Sequence, residues 1–522
     1  MAGLLLTTPT AQGARRAAPA AAYEPPPIEW GECADPLLQD YGAECGELIV
    51  PMDYAKPDGK KIRLVVSRMA HTSSEENYQG VMLVNPGGPG GSGQIYSIIQ
   101  TWVPHGAGGY YDWIGFDPRG VGSSTPALAC DRKYFKGDRP PYVPSTDALM
   151  DRWVNRSKGY AADCKDAEHS ALFDHVKTTD SVKDVESLRK ALGEDQINWY
   201  GFSYGTYLGS VYATRHPDRV RRFVFDGTMN PTQTYYESNQ GQDIAFEKTI
   251  NTYFGWLAKY RKVYHVGKTK AAVRKRYFET VDRLDRHAER GILGGDELSD
   301  VFLAPGYYVF GYTDVAEAYS TYLKDGKPRK LIRLYTDANS TAPGADNWFA
   351  MYLGTQCTDA PWPRSQAKLN RDNWALHEEH PFFTWPNAWF NGPCAYWPWD
   401  NDKPPVVDGA QVEVPILMIG ETFDAATPFK GSLVVRKLFP TASLIEGKNG
   451  TTHAGSLSGV PCTDDAIAAY LEDGTVPERL SGRRADLVCP PVPKPDPTAT
   501  GRADKRSTIL DELRLRLVRT FG

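Results

Sequence analysis

The chain has 522 residues, 41% hydrophobic and 24% charged, with 59 basic side chains against 64 acidic ones and a formal charge of -5. That balance excludes a disordered chain, a coiled coil and a polybasic nucleic-acid binder. No apolar run reaches the roughly 18 residues a membrane span needs, so the length suits a large α/β domain with an insertion, or several smaller domains.

In chain order, residues 1–22 are Ala-rich and end in A-x-A-like sites without a full apolar stretch. They are expected to be the remnant of an export signal, and residues 1–30 are set apart as a flexible N-terminus. Segment 46–69 predicts two strands about the turn Lys56, Pro57, Asp58, Gly59. Apolar runs then recur at 80–85, 113–117, 197–200, 223–226 and 416–420, mostly closed by Gly, Asn or Asp, with helical patterns such as 178–192 between some of them. Continuous apolar strands alternating with helices predict an α/β fold, a mostly parallel sheet with helices on both faces.

Between 231 and 405 the pattern changes to helix-like stretches, 242–260 and 270–290, followed by loops rich in Trp and Pro. This predicts a helical cap inserted over the C-terminal edge of the sheet, where α/β folds place their ligands. The many aromatic residues between 307 and 399 suit an aromatic-lined cavity as well as ordinary core. The core is thus expected in two parts, 31–230 and 406–490, with a linker and tail over 491–522 that includes a short amphipathic helix at 508–517.

The eight cysteines fall into four couples without C-x-x-C spacing, so no metal site is expected. Local disulfides in an exported protein are the reading. Neighbours are expected to pair, Cys33 with Cys45, Cys130 with Cys164, Cys357 with Cys394 and Cys462 with Cys489, although the count alone allows roughly a hundred pairings.

Gly201, Phe202, Ser203, Tyr204 and Gly205 follow one apolar run and precede a helical one. A sharp strand-to-helix turn needs glycines where a Cβ would clash, and it lifts a serine oxygen out of the sheet as a nucleophile. The competing reading is a tight turn with an inert serine. A serine needs a base and an orienting acid. His453 lies in a small-residue loop after the last core strand, and Asp424 follows the run ending at Gly420. Asp226 competes as the acid; Asp424 is preferred because acid and base then come from consecutive strand ends.

Gly88, Gly90 and Gly93 follow the run 81–84 and also satisfy G-x-G-x-x-G, with Asp112 as a possible ribose ligand. That dinucleotide reading places its acid before, rather than after, the second strand, and Pro89 interrupts the helix opening. In the hydrolase reading the N–H groups of Gly88 and Tyr204 form the oxyanion hole. His377, Glu378, Glu379 and His380 lack the spacing of a zinc helix and read as a solvated face.

With these motifs the sequence resembles secreted actinobacterial tripeptidyl aminopeptidases, α/β-hydrolases related to proline iminopeptidases. The resemblance runs from Cys45 to Cys489 and is carried by NPGGPGGSG from Asn85, GFDPRGVG from Gly115, SYGTYLG from Ser203, CTDA from Cys357, HPFFTWPNAW from His380 and DAATP from Asp424. It implies an α/β-hydrolase fold with an inserted helical cap, export, Ser203 as nucleophile, Asp424 as acid and His453 as base. It also implies release of short peptides, typically tripeptides, from free N-termini.

Such an activity needs a carboxylate to meet the substrate ammonium. Glu237, Asp243, Glu247 and Asp359 are the candidates, each also readable as a solvated charge. Relatives tend to carry Glu before CTDA where this chain has Gln356, a change that would favour amide or ester substrates. The expectation is a monomeric serine peptidase acting on peptides without cofactor. The alternatives are a carboxylesterase or amidase of the same fold, and a binding protein with a degenerate hydrolase fold.

Overall fold

The computed structural model describes residues 23–499. The expected export-signal remnant at 1–22 and the 508–517 helix lie outside the described residues.

Among the described residues ten strands form one sheet: β1 (Gly31–Glu32), β2 (Glu44–Pro51), β3 (Lys61–Met69), β4 (Val81–Asn85), β5 (Asp112–Phe116), β6 (Ile197–Phe202), β7 (Val220–Asp226), β8 (Ile416–Glu421), β9 (Ser443–Gly447) and β10 (Leu487–Cys489). Their order across the sheet is β1-β2-β3-β5-β4-β6-β7-β8-β9-β10. The pairings β1–β2, β2–β3 and β3–β5 are antiparallel; all others are parallel. The sheet is therefore mostly parallel, as the recurring apolar runs require.

Successive residues of each central strand enter opposite cores. Leu83, Trp199, Phe223 and Met418 pack with the helices Thr178–Ala191 and Tyr204–Arg215. Their neighbours Met82, Tyr200, Val224 and Leu417 pack with the 3-10 helix Gln94–Trp102 and the helix Pro461–Asp473 on the other face. This two-residue alternation is why both faces of every central strand must be apolar.

Between β7 and β8 the described chain is helical and contributes no strand. Helices Tyr236–Lys259, Lys270–Arg286, Gly295–Tyr307 and Tyr312–Asp325 build a separate apolar core around Phe246, Phe254, Phe302 and Tyr319. Ala425 and Ala426, just beyond β8, belong to that cluster and join this layer to the sheet edge.

Both ends of the described chain pack more closely than their composition suggests. Ile28 is buried, and a side chain at Gly46 would collide with it. In the segment read as a linker, Val492 is buried, and the Pro495 carbonyl accepts from the Trp256 indole at 3.0 Å. Four disulfides close the fold: Cys33–Cys45, Cys130–Cys164, Cys357–Cys394 and Cys462–Cys489.

Candidate active site

Because β6, β8 and β9 run parallel, the residues that follow them emerge at one edge of the sheet. Ser203 stands directly after β6 with φ 54° and ψ −124°, a conformation L-residues adopt only at a cost of about 1–3 kcal/mol. Its surroundings hold it there. The Ser203 N–H donates to the Asp226 carbonyl at 3.0 Å, and the Ser203 carbonyl accepts from Thr206 N at 2.9 Å and Thr206 Oγ1 at 2.6 Å.

The glycines around this turn have steric reasons. A Cβ on Gly201 would lie 2.5 Å from the Gly205 carbonyl oxygen, and one on Gly205 would strike the Asn85 carbonyl. A Cβ on Gly87 would lie 2.9 Å from Ser203 Cβ, so the glycine loop after β4 packs directly on the serine turn. Gly88, at φ 111°, and Tyr204 both line the cavity that contains Ser203. The Tyr204 N–H belongs to the first turn of its helix, where no intrahelical acceptor exists and the dipole is positive.

Asp424 follows β8 and His453 follows β9. His453 Nδ1 lies 2.8 Å from Asp424 Oδ2 and 3.0 Å from Oδ1. Thr427 fixes the carboxylate: its N–H donates to Oδ1 at 2.9 Å and its hydroxyl to Oδ2 at 2.8 Å. The three-residue spacing of Asp424 and Thr427 in DAATP is the signal that could have found this contact. The His453 N–H donates to the Tyr307 carbonyl at 2.8 Å, so the helical layer braces the histidine loop. Gly227 leaves room for the ring, since a Cβ there would lie 2.9 Å from His453 Cε1. Ser203 and His453 line the same cavity, of ≈ 1150 Å³.

The competing acid is engaged elsewhere. Asp226 Oδ2 accepts from Ser456 N at 2.9 Å, three residues beyond His453. Asp112 sits at the opposite sheet edge from the glycine loop, because it pairs in register with Val81, the first residue of β4, whereas the loop follows Asn85. It accepts from His71 N and lies beside His71 Nδ1, both at 2.7 Å. It cannot face a ligand held by Gly88 and Gly90, so the dinucleotide reading fails on register.

Over this floor the helical layer supplies Asn239, Gln242, Gln356 and Asn387 with Tyr352 and Phe390. Among the described lining residues no Asp, Glu, Lys or Arg occurs. The candidate carboxylates separate accordingly. Glu237 is exposed and outside the lining. Glu247 pairs with Arg274 at 2.8 Å and accepts from Phe382 N at 3.1 Å. Asp359 lies behind the wall, accepting from Thr178 N at 2.7 Å and the Tyr235 hydroxyl at 2.9 Å; burial pushes its pKa to about 6 against those bonds.

Asp243 is the exception. It lines a second chamber of ≈ 530 Å³, which shares Asn239 and Asn387 with the first. Asn387 Nδ2 donates to Asp243 Oδ1 at 2.8 Å, and burial holds this carboxyl well above the usual range despite that bond. Trp362, Trp385 and Trp389 complete the chamber. Asn239 belongs to no motif and Asn387 is one residue of the HPFFTWPNAW stretch; helix packing brings the two together. The described residues contain no cluster of metal-ligating side chains and no helix long and apolar enough to cross a membrane.

A family model described as alpha/beta hydrolase fold matches residues 80–292, and one described as TAP-like protein matches residues 380–489. Sheet, serine turn and match together define an enzyme of the α/β-hydrolase class. The chain is 35% identical over 480 residues to the tripeptidyl aminopeptidase of Streptomyces coelicolor, covering 90% of this chain and 87% of that one. It is 30% identical over 480 residues to serine protease Hip1 of Mycobacterium tuberculosis, covering 86% and 90%. It is 28% identical over 505 residues to carboxylesterase B of the same organism, covering 91% and 95%. The chain belongs to the tripeptidyl aminopeptidase family.

Proposed function

We propose that the protein is an exported serine exopeptidase that releases short peptides, tripeptides in the first instance, from free N-termini. Ser203 Oγ attacks the scissile carbonyl. His453 Nε2 takes the hydroxyl proton and gives it to the departing amine, while Asp424 holds Nδ1 and stabilises the imidazolium. The N–H groups of Gly88 and Tyr204 receive the charge that develops on the carbonyl oxygen. The Gly88 loop is packed against the serine turn before substrate arrives, so this stabilisation needs little rearrangement.

The observation that carries the reading is the two-chamber cavity. Its first chamber joins the reactive edge to neutral amides, and its second holds Asp243 behind Asn239 and Asn387. A substrate ammonium reaching that partition would draw Asp243 into its ionised form and gain a charge-assisted hydrogen bond. A carboxylate bounded by amides on one side limits how far the acyl part extends, which is what an exopeptidase requires. The names of the relatives support peptide substrates, and four disulfides suit an oxidising compartment.

The neutral lining, Gln356 included, favours a second reading, an amidase or carboxylesterase for uncharged acyl groups. Mass spectrometry of products from matched unblocked and N-acetylated peptides separates the two. We expect tripeptides from the unblocked series and at least about tenfold slower cleavage after acetylation, since a buried charge pair is lost. Equal rates would reject the ammonium anchor and favour the second reading.

A further inference from the structure

Trp102 and Leu457 line the catalytic cavity and also a separate groove of ≈ 1920 Å³. The groove lies among segment 101–106, the turn 457–459 and the C-terminal residues Val492, Pro493 and Pro495. Its position relative to the imidazole is set by the chain. Ala454, Ser456 and Leu457 follow His453 and line the catalytic cavity, so the groove begins where the histidine loop ends. The Asp243 chamber adjoins the same cavity through a different set of elements, the helices Tyr236–Lys259 and Thr384–Phe390.

The groove wall is built rather than incidental. Leu457 has φ 56°, a left-handed conformation that a branched side chain adopts only under constraint. Asp464 supplies it: one carboxylate oxygen accepts from Leu457 N at 2.9 Å and the other from Gly459 N at 2.8 Å. His105, also in the lining, lies 2.8 Å from Asp465 through Nε2. Besides Asp464 and His105 the lining is uncharged: Thr101, Thr313, Val103, Phe310 and the prolines.

We propose that this groove holds the carboxyl side of an extended polypeptide substrate, the part that leaves first. The inference rests on the serine-peptidase reading above. When Ser203 Oγ bonds to the carbonyl carbon and the C–N bond breaks, the proton on His453 Nε2 passes to the leaving nitrogen. That nitrogen must lie on the imidazole side, and from there the residues that follow His453, with Trp102 and Leu457 common to both linings, lead to the groove. The departing chain carries away a new amino terminus along the open groove, while the acyl part stays on the serine until water releases it.

The test uses the full chain and unblocked peptides that share their first four residues and extend to six and eight with Gly, Ala and Ser. Because binding remote from the cut can be used at the reacting centre, kcat/KM is expected to rise at least about tenfold from the tetrapeptide to the octapeptide. In Thr313→Trp and Thr101→Trp, which fill the groove, the octapeptide-to-tetrapeptide ratio is expected to fall to within about twofold of one. The ratio within each variant cancels any loss of folded or active protein. A smaller rise in the native protein, or a ratio preserved in both variants, overturns the groove assignment alone. Failure to cleave any peptide overturns the peptidase reading and the groove with it.

Discussion

The floor and the roof of the catalytic cavity are made by different principles. The floor is the edge of a parallel sheet, where three strand ends deliver Ser203, Asp424 and His453 into a net of backbone and side-chain hydrogen bonds. The roof is a helical layer that contributes amides and aromatic rings but no charge to the same space. Chemistry on the floor is fixed by turns a few residues long; selectivity in the roof depends on how helices far apart in sequence pack. A change in the floor should therefore slow every substrate alike, and a change in the roof should sort substrates.

The sharpest way to break this contrast is Ser203→Ala. Loss of the attacking oxygen is expected to lower kcat by about 10⁴-fold or more on peptides and esters alike, as when one member of a nucleophilic unit is removed. The melting temperature should be unchanged, because the turn is held by backbone bonds that alanine keeps. Retained turnover on any substrate class would show that the floor is not the common reactive element.

Asp243→Asn tests the roof and its effect is smaller. Cleavage of unblocked peptides is expected to slow by about 30- to 1000-fold, as when a buried charge pair worth about 2–4 kcal/mol is broken, while N-acetylated peptides change little. The same substitution is expected to stabilise the protein at neutral pH. Burial raises the folded-state pKa of Asp243, so the folded chain holds a proton that the unfolded chain releases near pH 4. Stability is then lost as pH rises through the raised value, and asparagine, which still accepts from Asn387, removes that loss. Equal slowing of blocked and unblocked peptides would mean that Asp243 supports the fold without meeting the substrate.

The same contrast explains what could be read without coordinates. The runs at 80–85, 197–200, 223–226 and 416–420 mark β4, β6, β7 and β8 because a strand buried on both faces is apolar at nearly every interior position; Asn198 in β6 is the exception, its amide donating to the Val81 carbonyl at 2.9 Å. β9 departs further: two of its five residues, Ser443 and Glu446, are polar and buried, with Ser443 Oγ donating to the Pro477 carbonyl at 2.7 Å and Glu446 accepting from Thr422 Oγ1 at 2.6 Å. Local pattern separates Glu237 from Asp243 and Glu247 on their shared helix, since only the last two are four residues apart on one face. It cannot separate Asp243 from Glu247. That distinction rests on Arg274 and Asn387, which helix packing assigns, one to each.

Glu421, the last residue of β8, offers the smallest and most discriminating effect, because it belongs to the floor yet does no chemistry. One carboxylate oxygen accepts from Thr452 N, beside His453, and the other from Val492 N at 2.6 Å. Burial pushes its pKa from 4.5 to about 8 despite those bonds, with Asp424 and Asp226 adding to the rise. The folded protein therefore keeps a proton that the unfolded chain gives up near 4.5, and this contribution to stability is lost as pH climbs from about 4.5 to about 8. Glu421→Gln resembles the protonated form and cannot ionise. Its single oxygen can accept only one of the two N–H groups, so its melting temperature is expected to lie below the native value at pH 5, and that gap to shrink by a few degrees by pH 8.5, because only the native curve carries the loss from Glu421 ionising. Asp243 and Asp359 also titrate, but they are common to both proteins, so the difference isolates Glu421. Parallel curves would mean that Glu421 is already ionised at pH 5. The two backbone N–H groups would then outweigh burial, and the strap from β8 to the histidine loop and the C-terminal segment would be charged throughout the working range.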